Sequence, residues 1–114
     1  MKRGTIVLTD FPFTDLSSTK RRPAVIISRE SNDKDDVIVA FISSVIPDNL
    51  SETDFVLEME HKDFPKTGLK KDSVFKMDKL ATLNKSIFSG EIGTLSAEIL
   101  SLLEFRLKTA LALK

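Results

Sequence analysis

Arg22 is the residue of this chain best suited to meet a phosphate. A guanidinium is a planar fork that donates two parallel hydrogen bonds to phosphate oxygens. Pro23, directly behind it, fixes the backbone at the entrance to an apolar run. Lys20 and Arg21 precede it without a break, so three cations stand in a row. Taken alone, such a run is a solvated basic surface. Ser43 ends a second apolar run, Val37 to Ser43, where a hydroxyl is an unusual choice for a core. It either faces a groove or bonds its own turn. Ser44 is an equal candidate, because a slip of one residue in a strand reverses the facing. Lys76 and Asp78 are two apart and in a strand would share a face. Without further context they form an exposed salt bridge. Lys66, Lys70, Lys71, Lys76 and Lys79 crowd one stretch, and the hydroxyls of Ser17, Ser18 and Thr19 lie in a polar loop.

Several chemistries are excluded. There is no cysteine, so disulfides and thiolate metal sites are ruled out. The single histidine, His61, cannot build a multi-histidine zinc site within one chain, and it reads as a surface residue. No metal or cofactor is expected. The apolar runs Ala24 to Ile27 and Val37 to Ile42 are far too short to span a bilayer. Nothing at the N-terminus reads as a signal peptide, so a cytoplasmic protein with no membrane contact is expected. Lysine plus arginine number 17 and acidic residues also 17, a formal net charge of zero. Any nucleic-acid contact must therefore rest on a local patch and not on bulk charge.

The elements that would position these groups are mostly short strands. Thr5 to Thr9 is a β-branched run and reads as a strand. Asp10 to Lys20 holds Pro12 and a Ser/Thr cluster and reads as a loop. Pro23 to Ser28 and Val37 to Ser43 are apolar at consecutive positions, the pattern of strands buried on both faces. Phe55, Leu57 and Met59 alternate as in a half-buried strand, and Asp72 to Met77 reads as another after a turn at Lys66-Thr67-Gly68. The period then changes. Ile99, Leu102, Leu103, Leu107, Ala110 and Leu111 fall on one helical face, interrupted only by Arg106. Ser96 is a good N-cap and Glu98 places an acid in the first turn, which predicts a helix over residues 97–111. With 114 residues, no repeat and no linker, the chain reads as one domain, residues 1–114. Short strands followed by one helix, without alternation, suggest a small twisted barrel or half-barrel.

Three ordered blocks carry a resemblance. Arg3 to Ser28 (RGTIVLTDFPFTDLSSTKRRPAVIIS) resembles the opening of the PemK/MazF toxins, in which an R-G-D-I-V-like start and a short loop lead to a strand entered through R-P. Val39 to Ser44 matches the family strand that ends in a hydroxyl, and Thr67 to Leu83 matches a third block. The resemblance implies a mainly β, SH3-like barrel of the MazF/CcdB type with a C-terminal α-helix. It also implies a homodimer, metal-independent and sequence-selective cleavage of single-stranded RNA or mRNA, and a cognate antitoxin whose acidic segment occupies the RNA groove. Thr5 replaces the family's usual acid, Ser43 its commoner threonine and Lys76 the arginine of some members.

Metal-free RNA cleavage uses the ribose 2′-OH as an internal nucleophile and leaves 2′,3′-cyclic phosphate and 5′-hydroxyl ends. The protein must assist proton removal, stabilise the phosphorane and protonate the leaving oxygen. The resemblance makes Arg22, Ser43 and Asp78 the catalytic candidates, with Arg22 on the phosphorane, Ser43 on the scissile phosphate and Asp78 orienting a base or the 2′-OH. Ser17, Ser18, Lys20, Arg21, Ser44, Lys76 and Lys79 become RNA-binding candidates, and Phe11 and Phe13 either stack bases or fill the core. A CcdB-like gyrase poison or an inactive protein-binding barrel shares the fold and stands as the alternative. Neither needs Arg22 beside a hydroxyl.

Overall fold

The structure is a computed structural model and describes residues 2–9, 21–30 and 35–114. The loop expected over 10–20, with Phe11, Phe13, Ser17, Ser18, Thr19 and Lys20, lies outside the described residues. Six strands are present: β1 (Thr5–Thr9), β2 (Arg22–Ile26), β3 (Asp36–Ser43), β4 (Asp54–Leu57), β5 (Ser73–Asn84) and β6 (Phe88–Thr94). A short helix α1 (Phe64–Thr67) follows β4, and a long one, α2 (Ala97–Ala110), ends the fold. The strands form one sheet in the order β4-β5-β3-β2-β1-β6, every neighbouring pair antiparallel.

The consecutive apolar positions do what a doubly buried strand requires. In β2, Val25 joins the cluster of Ile6, Ala40, Ile42, Leu57, Phe75, Met77, Ile99 and Leu103. Its neighbours Ala24 and Ile26 face the other way and pack with Val7, Val37, Val39 and Leu83. Helix α2 covers the first cluster through Ile99 and Leu103. The Ser96 hydroxyl caps it, accepting from the Ile99 amide at 3.3 Å, which satisfies one of the orphan donors of the first turn. The helical face is narrower than the periodicity suggests. Leu102 and Leu111 are 47% and 49% exposed, and only Ile99 and Leu103 are fully buried, with Leu107 packed beside them. A helix lying on a sheet buries one stripe about two residues wide per turn, and Leu102 falls beyond it.

The sheet remains open among the described residues, with β4 and β6 as its edges. A helical turn in place of a ladder links the two edges. Gly68 ends α1 in the left-handed conformation, φ 73°, and a Cβ there would stand 2.1 Å from the Ile92 carbonyl oxygen of β6. Gly93 of β6 in turn receives the Thr67 backbone, which a Cβ would meet at 2.3 Å. Both positions therefore require glycine for close approach, and Gly68 for its dihedral as well. Gly68→Ala is expected to cost more than the roughly 1–2 kcal/mol of a left-handed L-residue alone, lowering Tm by at least several degrees in a thermal melt. Gly90→Ala is the matched control, since nothing lies within 4 Å of its Cβ position. A Tm for Gly68→Ala equal to that of Gly90→Ala would contradict this reading of the junction.

Candidate functional site

Strand register brings the chemistry-bearing residues together. Ala24 pairs with Phe41 across β2 and β3, and continuing that antiparallel register by two residues sets Arg22 level with Ser43. On the other side of β3, Phe41 pairs with Lys76 and Ser43 with Val74. Parity fixes the face. Val25, Ile42, Phe75 and Met77 enter the cluster under α2, so Arg22, Phe41, Ser43 and Lys76 emerge on the opposite side of the sheet. Arg22 opens β2, exposed at its end, where it pairs with the fully buried Thr9 of β1.

Two cavities meet at this row. One, of about 310 Å³, is lined by Arg22, Phe41, Ile42, Ser43 and Val45, with Lys76 and Lys79 from β5. The other, of about 230 Å³, shares Arg22, Ile42 and Ser43 with the first. It adds Arg21, Pro23 and Ser44 on one wall and Leu69, Lys70, Lys71 and Ser73 on the other. Six cationic side chains (Arg21, Arg22, Lys70, Lys71, Lys76, Lys79) thus line the pair, and among the described residues no acidic one does. In a chain of zero formal net charge this is strong local segregation.

Ser43 both lines the cavities and bonds its own turn. Its hydroxyl oxygen accepts from the Val45 amide at 3.0 Å, and the Val45 carbonyl lies 3.5 Å away. The amide occupies a lone pair and fixes the oxygen's position, while the hydroxyl proton is only weakly engaged and can be given to an anion. Ser44 lines only the second cavity. Lys76 and Lys79 reach the first cavity; Asp78 is exposed and outside both linings. The alternation that would put Lys76 and Asp78 on one face is interrupted, because the β3–β5 register jumps from Ala40↔Leu80 to Phe41↔Lys76. Met77, Asp78 and Lys79 occupy that irregularity, which rotates Lys79 toward the cavity. Sequence reasoning did not single out Phe41, Val45, Lys70 or Lys71. The lysines carried the only signal, as members of the basic stretch before β5.

His61 is half-buried, not on the open surface as its sequence context suggests. With Asp63 and Glu98 it places three potential metal-ligand atoms within 4.8 Å of one another. Its Nδ1 already accepts from the Asp63 amide at 3.0 Å, and the Glu98 carboxylate lies 3.6 Å from the Lys62 ammonium. None of the three lines either cavity.

The family model for PemK-like, MazF-like toxins of type II toxin-antitoxin systems matches residues 2–111. The chain belongs to this family. No curated protein matches the toxin in sequence. Solved structures do match in fold. An endoribonuclease in complex with its cognate antitoxin from mycobacterial species superposes with a TM-score of 0.77 at 19% identity, over 100% of this chain and 97% of that one. The Mycobacterium tuberculosis toxin MazF-mt6 gives 0.75 at 22% identity, over 96% and 98%. A MazE-MazF structure from Deinococcus radiodurans gives 0.74 at 15% identity, over 100% and 97%. The mainly β architecture with a C-terminal helix is therefore the MazF-like fold, with the toxin's sheet left open between β4 and β6. No helix among the described residues is long and apolar enough to cross a membrane.

Proposed function

We propose that this toxin is an endoribonuclease that cleaves single-stranded RNA, mRNA included, in the cytoplasm by metal-independent attack of a ribose 2′-OH. The observation that carries the reading is the Arg22–Ser43 row at the junction of two cavities lined by cations and hydroxyls. A polyanion is the ligand such a lining favours. A divalent cation is disfavoured, because the lining supplies no carboxylate among the described residues.

In the reaction O2′ bonds to phosphorus as its proton passes to solvent water, the P–O5′ bond breaks, and O5′ takes up a proton from water. Negative charge builds on the non-bridging oxygens between these events. Arg22 donates its paired N–H groups to that charge, and the Ser43 hydroxyl, held by the Val45 amide, donates to the same phosphate. Lys76 and Lys79 neutralise phosphate from the β5 wall. Asp78 lies outside both cavity linings, and no step of the reaction is assigned to it.

The same charge suits the acidic segment of a cognate antitoxin, which would compete with RNA for the cavities. Exposed Leu102, Phe105, Leu111 and Leu113 on and after α2 support assembly as a homodimer. Light scattering at micromolar concentration should give twice the 12.7 kDa chain mass, and a fully active monomer would overturn that assignment. The test of the activity itself is incubation of purified toxin with single-stranded RNA in EDTA. Cleavage to 2′,3′-cyclic phosphate and 5′-hydroxyl ends is expected. Loss of cleavage in EDTA with recovery in magnesium would show the mechanism to be wrong.

A further inference from the structure

We propose that the Lys70–Lys71 turn is a second phosphate subsite, which holds the RNA strand on the side of the scissile phosphate away from Lys76 and Lys79. The inference rests on the endoribonuclease reading and extends it to residues that reading does not use.

The order of cations along one wall is the first argument. Ser43 lies opposite Val74 of β5. Lys76 and Lys79 come after that level in the chain, and Lys70 and Lys71 come before it. The two lysine sets also divide between the two cavities, the first lined by Lys76 and Lys79 and the second by Lys70 and Lys71. Arg22 and Ser43 line both. An anion centred on the Arg22–Ser43 row therefore has cations ahead of it and behind it. At about 3.3 Å per extended residue, Lys71 and Lys76 are separated by on the order of 15 Å, more than a single nucleotide step. A ligand that bridges both sets must carry more than one negative charge along its length, as a nucleic-acid strand does.

The turn is also built to stay in place. Thr67 is fully buried, donates to the Phe64 carbonyl at 2.7 Å and accepts from the Leu69 amide at 3.1 Å. The Ser73 hydroxyl donates to the Lys71 carbonyl at 2.8 Å, and the Asp72 carboxylate accepts from the Met59 amide at 2.7 Å. With Gly68 wedged against Ile92, the backbone that carries both lysines is bonded on each side. Their ammonium groups, by contrast, are exposed and have no ion-pair partner among the described residues. A solvated lysine needs no such scaffold. Unpaired cations on a braced turn at a cavity mouth are suited to catching flanking phosphates, one for each ammonium group.

The test uses the full-length toxin and a cleavable RNA whose cut site has been mapped. A non-cleavable copy carries one 2′-deoxy nucleotide at that site, and two shorter copies are truncated on either flank. Lys70→Ala/Lys71→Ala is expected to weaken binding of the non-cleavable RNA by on the order of tenfold near physiological salt. It should also reduce the slope of log affinity against log salt by about 1.4, the loss of two single-strand phosphate contacts. Truncation of one flank, and only one, should abolish the difference between variant and wild type. Lys70→Arg/Lys71→Arg should restore both readouts, which a merely structural defect would not allow. An unchanged salt slope with affinity within twofold, while wild-type toxin cleaves, overturns the subsite alone. Weaker binding of an acidic peptide with unaltered RNA binding overturns it in favour of a protein ligand. Wild-type toxin that cleaves no RNA overturns the reading beneath it, and the subsite with it.

Discussion

Arg22→Ala is expected to lower the single-turnover cleavage rate by on the order of a hundredfold or more, the usual loss for one donor to transition-state charge. Arg22 lines both cavities and stands level with Ser43, so its side chain borders the space that the two cavities share. Arg22→Lys should recover little, because an ammonium keeps the charge and loses the two-pronged geometry. Arg21 lines only the second cavity. Arg21→Ala should raise the half-saturating RNA concentration and flatten the salt dependence, with a far smaller effect on the rate at saturation. Arg22 is exposed and outside both apolar clusters, so thermal unfolding should be nearly unchanged in its variants. A folded Arg22→Ala protein that cleaves at the wild-type rate would reduce Arg22 to a surface charge.

The largest expected effect on stability is at Phe75. It is fully buried near the start of β5, pairs with Ile42 of β3 and Phe55 of β4, and meets the Phe55 ring edge-on at 6.2 Å. Phe75→Ala removes that ring from the cluster under α2 and should cost about 3–5 kcal/mol, a large share of the roughly 5–15 kcal/mol typical of a small domain. The wall that carries Lys76 would loosen with it, so activity should fall along with stability. Phe75→Leu keeps more of the volume and should lose less. Denaturant titration measures both changes. A Phe75→Ala midpoint within error of wild type would mean that this cluster does not hold the sheet together.

What was legible in the sequence follows from how strongly each element depends on side-chain pattern. β1, β2 and β3 are β-branched runs whose apolar positions alone specify a buried strand, and they form within two residues of the expected bounds. The capped helix at 97–110 was equally legible, since Ser96 and the Ile99–Leu103 spacing are local signals. β6 was not. Its sequence, FSGEIGT, holds two glycines and no alternation, and it is a strand because β1 pairs with it. β5 runs to Asn84, well past Met77, because β3 templates its second half. The site divides in the same way. Arg22 opens and Ser43 closes strands whose register follows from burial, whereas the Asp78 and Lys79 orientations depend on a bulge that no local pattern announces. Lys70 and Lys71 gain meaning only from the junction of α1 with β6, a contact between distant parts of the chain.

The most direct measurement is cleavage of two RNA strands that differ by one atom. In the first, every nucleotide is ribose; in the second, the nucleotide on the 5′ side of the mapped cut carries hydrogen in place of its 2′-OH. With EDTA present, the toxin should cleave the first strand and leave the substituted bond of the second intact while still binding it. Cleavage that persists at the deoxy position would contradict internal 2′-OH attack, and failure to cleave either strand would contradict the endoribonuclease reading itself.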